Sequence, residues 1–134
     1  MSISPGRASA GAALFDDAPR EEWAVQFLAR DGHHMVWARA DGLDAGFITG
    51  IEITHPDKGT EMVLYELGVE PEFRRRGIAT LLVEELARIG VERGCHGMWV
   101  PVDGDNEVAQ QFYLAAGADP AEPAVTMWWS LDGA

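Results

Sequence analysis

The sequence predicts an α/β fold: a mixed, mostly antiparallel central sheet with helices on both faces. Three observations carry this. His34 to Ala40 and Ala45 to Thr54 read as two strands around Asp41-Gly42, a dipeptide that favours the tight turn of a β-hairpin. A strand from Glu61 to Val69, an amphipathic helix from Ile78 to Arg93 and a short apolar strand from Gly97 to Val102 make a β-α-β crossover after the hairpins. The chain has 134 residues, 47% of them apolar, enough for one core without disulfides or metal.

Residues 1–13 are rich in Ala, Gly and Ser and read as a flexible lead-in to a single domain spanning 1–134. Pro19 to Leu28 reads as a helix. Proline suits a first helical position, Glu21 and Glu22 suit the positive end of the dipole, and Trp23 and Phe27 share a face. Asp31-Gly32 stops it, and His55 to Gly59 is a turn-rich break between strands. In Glu61 to Val69, period two sends Met62, Leu64 and Glu66 one way and Val63, Tyr65 and Leu67 the other, with Gly68 as a candidate bulge. In the following helix, Ile78, Leu82, Leu86 and Ile89 recur at threes and fours, and Gly94 suits a left-handed cap. Asp105 or Asn106 can cap a helix running to Ala116 and closed by Gly117. Val125 to Leu131 reads as a final strand with Trp128 and Trp129 on opposite faces.

Charge narrows the function. The net charge of −12 opposes nucleic-acid phosphates and favours cationic partners. Removing Arg74, Arg75 and Arg76 leaves 7 basic against 22 acidic residues, a charge of −15, so three adjacent arginines need a local reason. No apolar run reaches the ~20 residues that cross a bilayer, and no secretory pattern opens the chain. With the lone Cys95, this leads to the expectation of a cytoplasmic protein with no membrane partner. No histidine spacing suggests zinc, and Asp103 to Val108 lacks the glycine that a calcium loop needs at its sixth position. No metal is expected.

The local reason is an anion cradle. Strand, basic loop and helix follow one another, and a helix start offers unpaired amides and the positive end of a dipole. Gly77 and Ala79 let the backbone come close to a ligand, and the arginines add charge-assisted hydrogen bonds. These features suit a diphosphate.

Arg74-Arg75-Arg76-Gly77-Ile78-Ala79 matches the Gln/Arg-x-x-Gly-x-Gly/Ala signature of the GNAT family of N-acetyltransferases, and the chain resembles that family from Glu61 to Gly117. Within it, Tyr65-Glu66-Leu67-Gly68-Val69 and the Arg-Arg-x-Gly-Ile-Ala-Thr run are most similar to the aminoglycoside 3-N-acetyltransferases. The resemblance implies a GNAT fold whose N-terminal strand and first helix are shortened in residues 1–18. It implies acetyl-coenzyme A as co-substrate, bound by the backbone of Leu67 and Val69, by Arg74, Arg75, Arg76, Gly77, Ile78, Ala79 and Thr80, and by Asn106. It also implies catalytic roles for Glu66, as the base that deprotonates the amine or as an anchor for a cationic substrate, and for Tyr113, as the acid that protonates the leaving thiolate. Partial burial would raise the pKa of Glu66 toward a useful range.

The activity implied is acetyl transfer to a primary amine, with a polycationic small molecule such as an aminoglycoside or polyamine as acceptor. A protein amine, or acyl-coenzyme A binding without turnover, are the alternatives. An exposed final strand would permit a homodimer.

Overall fold

The computed structural model describes residues 2–5 and 20–132. The chain divides into two compact units, Met1–Pro101 and Val102–Ala134. The first holds a five-stranded sheet in the order β1-β2-β3-β4-β5. Its strands are β1 (Ser2–Pro5), β2 (His33–Ala40), β3 (Leu43–His55), β4 (Gly59–Val69) and β5 (Gly97–Trp99). All neighbours are antiparallel except β4 and β5, which run parallel, because the helix α2 (Ile78–Glu92) carries the chain back between them. The backbone of Ser2–Pro5 pairs with β2, where the sequence suggested only a flexible lead-in. Residues 6–13 of that lead-in, and Pro19 of the expected first helix, lie outside the described residues.

The helix expected from Pro19 is α1 (Glu21–Ala29). It packs Phe27 and Leu28 against Met35, Trp37 and Phe47 on one face of the sheet. On the other face, Ile78, Leu82 and Leu86 of α2 are buried along with Ile48, Met62 and Leu64. The Asp41-Gly42 turn has both residues at positive φ, 54° and 77°, as a two-residue hairpin with right-handed strand twist requires.

Glycines on β3 let α2 come close. A Cβ on Gly46 would lie 2.9 Å from the Gly68 carbonyl oxygen, 3.2 Å from Ile78 Cγ2 and 3.3 Å from Leu82 Cδ1. The carbonyl belongs to β4 and cannot rotate away. Gly46→Ala is therefore expected to cost about 1–3 kcal/mol of stability, the usual range for overpacking, measured as a lower denaturant midpoint.

At the far end of α2, Arg93 Nε–H donates to Glu52 Oε2 at 2.7 Å and Arg93 Nη2–H to Asp31 Oδ1 at 3.0 Å. His34 Nε2 shares the same Glu52 oxygen at 2.6 Å. Burial acts to raise the Glu52 carboxyl, but the hydrogen bonds from Arg93 and His34 outweigh it and hold the group below the usual carboxylate range. The network fastens the last turn of α2 to the sheet and so fixes the axis along which its first turn points.

Two expectations fail here. β5 ends at Trp99, not Val102, because its parallel register covers only Glu61 to Val63 and Pro101 has no N–H to extend it. Val125 to Leu131 forms no strand among the described residues. Val125, Met127, Trp128, Trp129 and Leu131 are all exposed. Alternation marked a segment able to pair, but no neighbouring strand satisfies its backbone. The homodimer contact expected along that strand loses its basis.

The second unit holds α3 (Glu107–Ala115). Asn106 caps it as expected: the Ala109 N–H donates to Asn106 Oδ1 at 3.1 Å. Gly117 follows its end with φ 107°.

Candidate active site

The site in the first unit begins with an interrupted pairing. β5 pairs with Glu61 to Val63 only, so from Leu64 to Val69 the outer side of β4 has no strand beside it among the described residues. On the inner side the Glu70 N–H donates to the Ala45 carbonyl at 2.8 Å. Backbone groups alternate along a strand, so those of Val69 and Leu67 point to the open edge. Leu67 and Val69 thus present donors and acceptors where an extended ligand could add to the sheet.

The open strand leads through the 3₁₀ turn Pro71–Phe73 to the basic loop. Gly77 has φ 77° and stands at the N-terminus of α2 with no side-chain cap. The first bond of the helix is Leu81 N–H to the Gly77 carbonyl, at 3.0 Å. The amides of Ile78, Ala79 and Thr80 therefore precede the hydrogen-bonded ladder. A left-handed residue followed by helical ones gathers such amides into a concavity suited to an anion. A Cβ on Gly77 would meet nothing within 4 Å, so the approach is open.

The three arginines differ. Arg74 Nε–H donates to the Val69 carbonyl at 3.3 Å. Arg76 reaches Asp41 Oδ2 at 3.4 Å, and its guanidinium lies 5.1 Å from the centre of the Phe73 ring. Arg75 is exposed and has no hydrogen bond or ion pair among the described residues. It also sits at φ 62°, a conformation that costs a non-glycine residue on the order of 1–2 kcal/mol. Strain of this kind gathers at ligand sites. The loop thus offers amides, one uncommitted guanidinium and two that are already engaged. These residues fit a diphosphate and, with the open strand edge, an extended arm attached to it.

Glu66 lies elsewhere than the alternation of β4 suggested. Thr49 pairs with Glu66 and Gly50 with Leu64, so Tyr65 is an extra residue and the bulge falls there, not at Gly68. The bulge turns Glu66 away from the face of Met62 and Leu64 and onto that of Thr49, Met35 and Trp37. Glu66 is half-buried, and Thr49 Oγ1–H donates to its Oε1 at 3.0 Å. Nothing in the sequence singled out Thr49. The available signal was a lone hydroxyl inside the apolar run Ala45 to Ile51.

Asn106 and Tyr113 belong to the second unit. Tyr113 is half-buried on α3, edge-on to Phe112 with ring centres 5.1 Å apart. Burial pushes its phenol above the ordinary value, which keeps it protonated at neutral pH. Among the described residues no group of three or more His, Cys, Asp or Glu could hold a metal ion. No helix among them is long and apolar enough to cross a membrane.

Residues 6–118 match the family model described as the Acetyltransferase (GNAT) family. An L-2,4-diaminobutyric acid acetyltransferase of Streptomyces coelicolor is 32% identical over 97 residues, covering 72% of this chain and 51% of the relative. The chain thus spans about half the length of that curated relative. Among solved structures, AAC(6')-Iy in complex with the bisubstrate analogue CoA-S-monomethyl-acetylneamine superposes with a TM-score of 0.83 at 22% identity, covering 97% of this chain and 98% of that one. The aminoglycoside antibiotic 6'-N-acetyltransferase AAC(6')-IG of Acinetobacter haemolyticus gives 0.79 at 19%, covering 98% and 100%. These two share the fold. The aminoglycoside enzyme is named for 6'-N and the curated relative for a diamino acid, whereas the sequence likeness pointed to 3-N enzymes.

Proposed function

Because this chain belongs to the acetyltransferase (GNAT) family, we propose that it transfers an acetyl group from acetyl-coenzyme A directly to a primary amine of a small polycationic molecule, an aminoglycoside or a polyamine. The observation that carries this reading is the open edge of β4 running into the amide and arginine loop at the start of α2. The net charge of −12 around that basic loop favours a cationic acceptor. The names of the relatives support amines of this size.

In this reading the whole chain works as one domain. Backbone groups of Leu67 and Val69 hold the pantetheine arm. The amides from Gly77 to Thr80 and the guanidinium groups of Arg74, Arg75 and Arg76 hold the diphosphate, and Asn106 contributes a further contact. The Val69 N–H steadies the thioester oxygen as negative charge grows on it, a contribution of roughly 3–4 kcal/mol when one such donor is removed elsewhere. An alkylammonium has a pKa of about 10 and cannot attack while protonated, so Glu66 takes its proton. Tyr113 gives its proton to the departing thiolate. For this role we expect Tyr113→Phe to lower turnover at least about tenfold, within the usual range for one acid-base group. Acetyl-coenzyme A affinity, measured by titration, should be unchanged.

The reaction is tested by thiol release over a panel of aminoglycosides, polyamines, a diamino acid and lysine peptides. Turnover is expected on an aminoglycoside or a polyamine. Turnover on peptides alone would assign a protein acceptor, and binding without turnover on any amine would reduce the chain to a binding module. Product NMR on an aminoglycoside distinguishes 3-N from 6'-N acetylation. A lone Cys95 suits a reducing, cytoplasmic setting.

A further inference from the structure

We propose that Thr49 is a positioning residue for the reaction: its hydroxyl, buried under the sheet, sets the orientation of the Glu66 carboxylate. This rests on the reading of Glu66 as the proton acceptor.

Thr49 is fully buried, and it is the buried polar residue of the core among the described residues. It lies on the face formed by Met35, Trp37 and Phe47. A hydroxyl in such surroundings is costly unless hydrogen-bonded. Thr49 donates to Glu66 Oε1 at 3.0 Å. The partners are cross-strand neighbours only because Tyr65 is bulged. With regular alternation, Glu66 would face α2 with Met62 and Leu64, where no hydroxyl of β3 could reach it.

Bulge and hydroxyl therefore act together. The first brings the carboxylate to this face of the open strand, and the second fixes one of its oxygens. A glutamate has three rotatable side-chain bonds and loses much rotamer freedom when held. A carboxylate already anchored at one oxygen gives that freedom up on folding and not in the transition state. Misplacement of a reacting group by about 1 Å can cost on the order of 100-fold in rate, so loss of the anchor should appear in turnover, not in co-substrate binding.

The test compares Thr49→Val, of the same shape without the hydroxyl, with Thr49→Ser, which keeps it. Thr49→Val is expected to lower kcat by about tenfold or more with acetyl-coenzyme A affinity unchanged, and Thr49→Ser to stay within about threefold of the parent. Adding Thr49→Val to Glu66→Gln should lower kcat no further, because the hydroxyl acts through the carboxylate.

If Glu66→Gln alone leaves kcat intact, the base reading fails. If Glu66→Gln is impaired but Thr49→Val matches the parent, or Thr49→Ser is as slow as Thr49→Val, or the two losses add in full, the positioning role is overturned while the base stands. Should Thr49→Val no longer bind acetyl-coenzyme A, Thr49→Ala carries the same comparison, since it lacks the hydroxyl and adds no volume.

Discussion

Replacing Gly77 by valine is expected to weaken acetyl-coenzyme A binding at least tenfold while leaving the chain folded. Gly77 sits at φ 77°, where a Cβ costs roughly 1–2 kcal/mol and a β-branched residue more. Space is not the obstacle in the free protein, since nothing lies within 4 Å of the added carbon. The new side chain would instead stand in the open approach to the amides of Ile78, Ala79 and Thr80. A charge-assisted hydrogen bond contributes about 1.5–3 kcal/mol, and about 1.4 kcal/mol is a factor of ten in affinity. Loss of one such bond thus gives a weakening of about tenfold to hundredfold, measured by titration calorimetry beside a thermal melt. Arg75→Ala is the companion variant. It removes a guanidinium that has no partner among the described residues and keeps the Cβ at the φ of 62°, so it should weaken binding while leaving the melt unchanged. Unaltered affinity in both variants would mean that the loop does not grip the co-substrate.

Glu66→Gln should lower kcat by about 100-fold at neutral pH, within the range for removal of a general base. The substitution keeps size and polarity but cannot take a proton. If Glu66 instead anchors a cationic acceptor, KM for the amine rises and kcat holds. Steady-state kinetics separates the two.

What the sequence revealed follows physical locality. The loop and helix at Arg74 to Arg93 were legible because a left-handed glycine, a helix start and a buried stripe are written in consecutive residues. The Asp41-Gly42 hairpin and the Asn106 cap were legible for the same reason. The face of Glu66 was not. Its direction depends on the bulge at Tyr65, which is a property of the register between β3 and β4, and nothing in β4 alone marks it. Thr49 was hidden for the same cause, since its importance appears only once Glu66 is turned toward it. The segment Val125 to Leu131 has strand-like alternation, but a strand exists only where a neighbour accepts its hydrogen bonds. Ser2–Pro5 shows the converse, a segment of only four residues drawn into the sheet by pairing with β2. The acceptor was the least legible feature, because one glutamate and a net negative charge select for a cation without specifying its shape.

In the proposed reading, the open edge of β4 and the loop at the start of α2 form a seat for acetyl-coenzyme A. Calorimetric titration of the purified chain measures this directly. Saturable binding of one equivalent is expected, with a Kd well below about 1 mM, a binding free energy beyond roughly 4 kcal/mol. A flat titration carried to millimolar acetyl-coenzyme A would contradict the account and remove the chemical meaning assigned to Glu66, Tyr113 and Thr49.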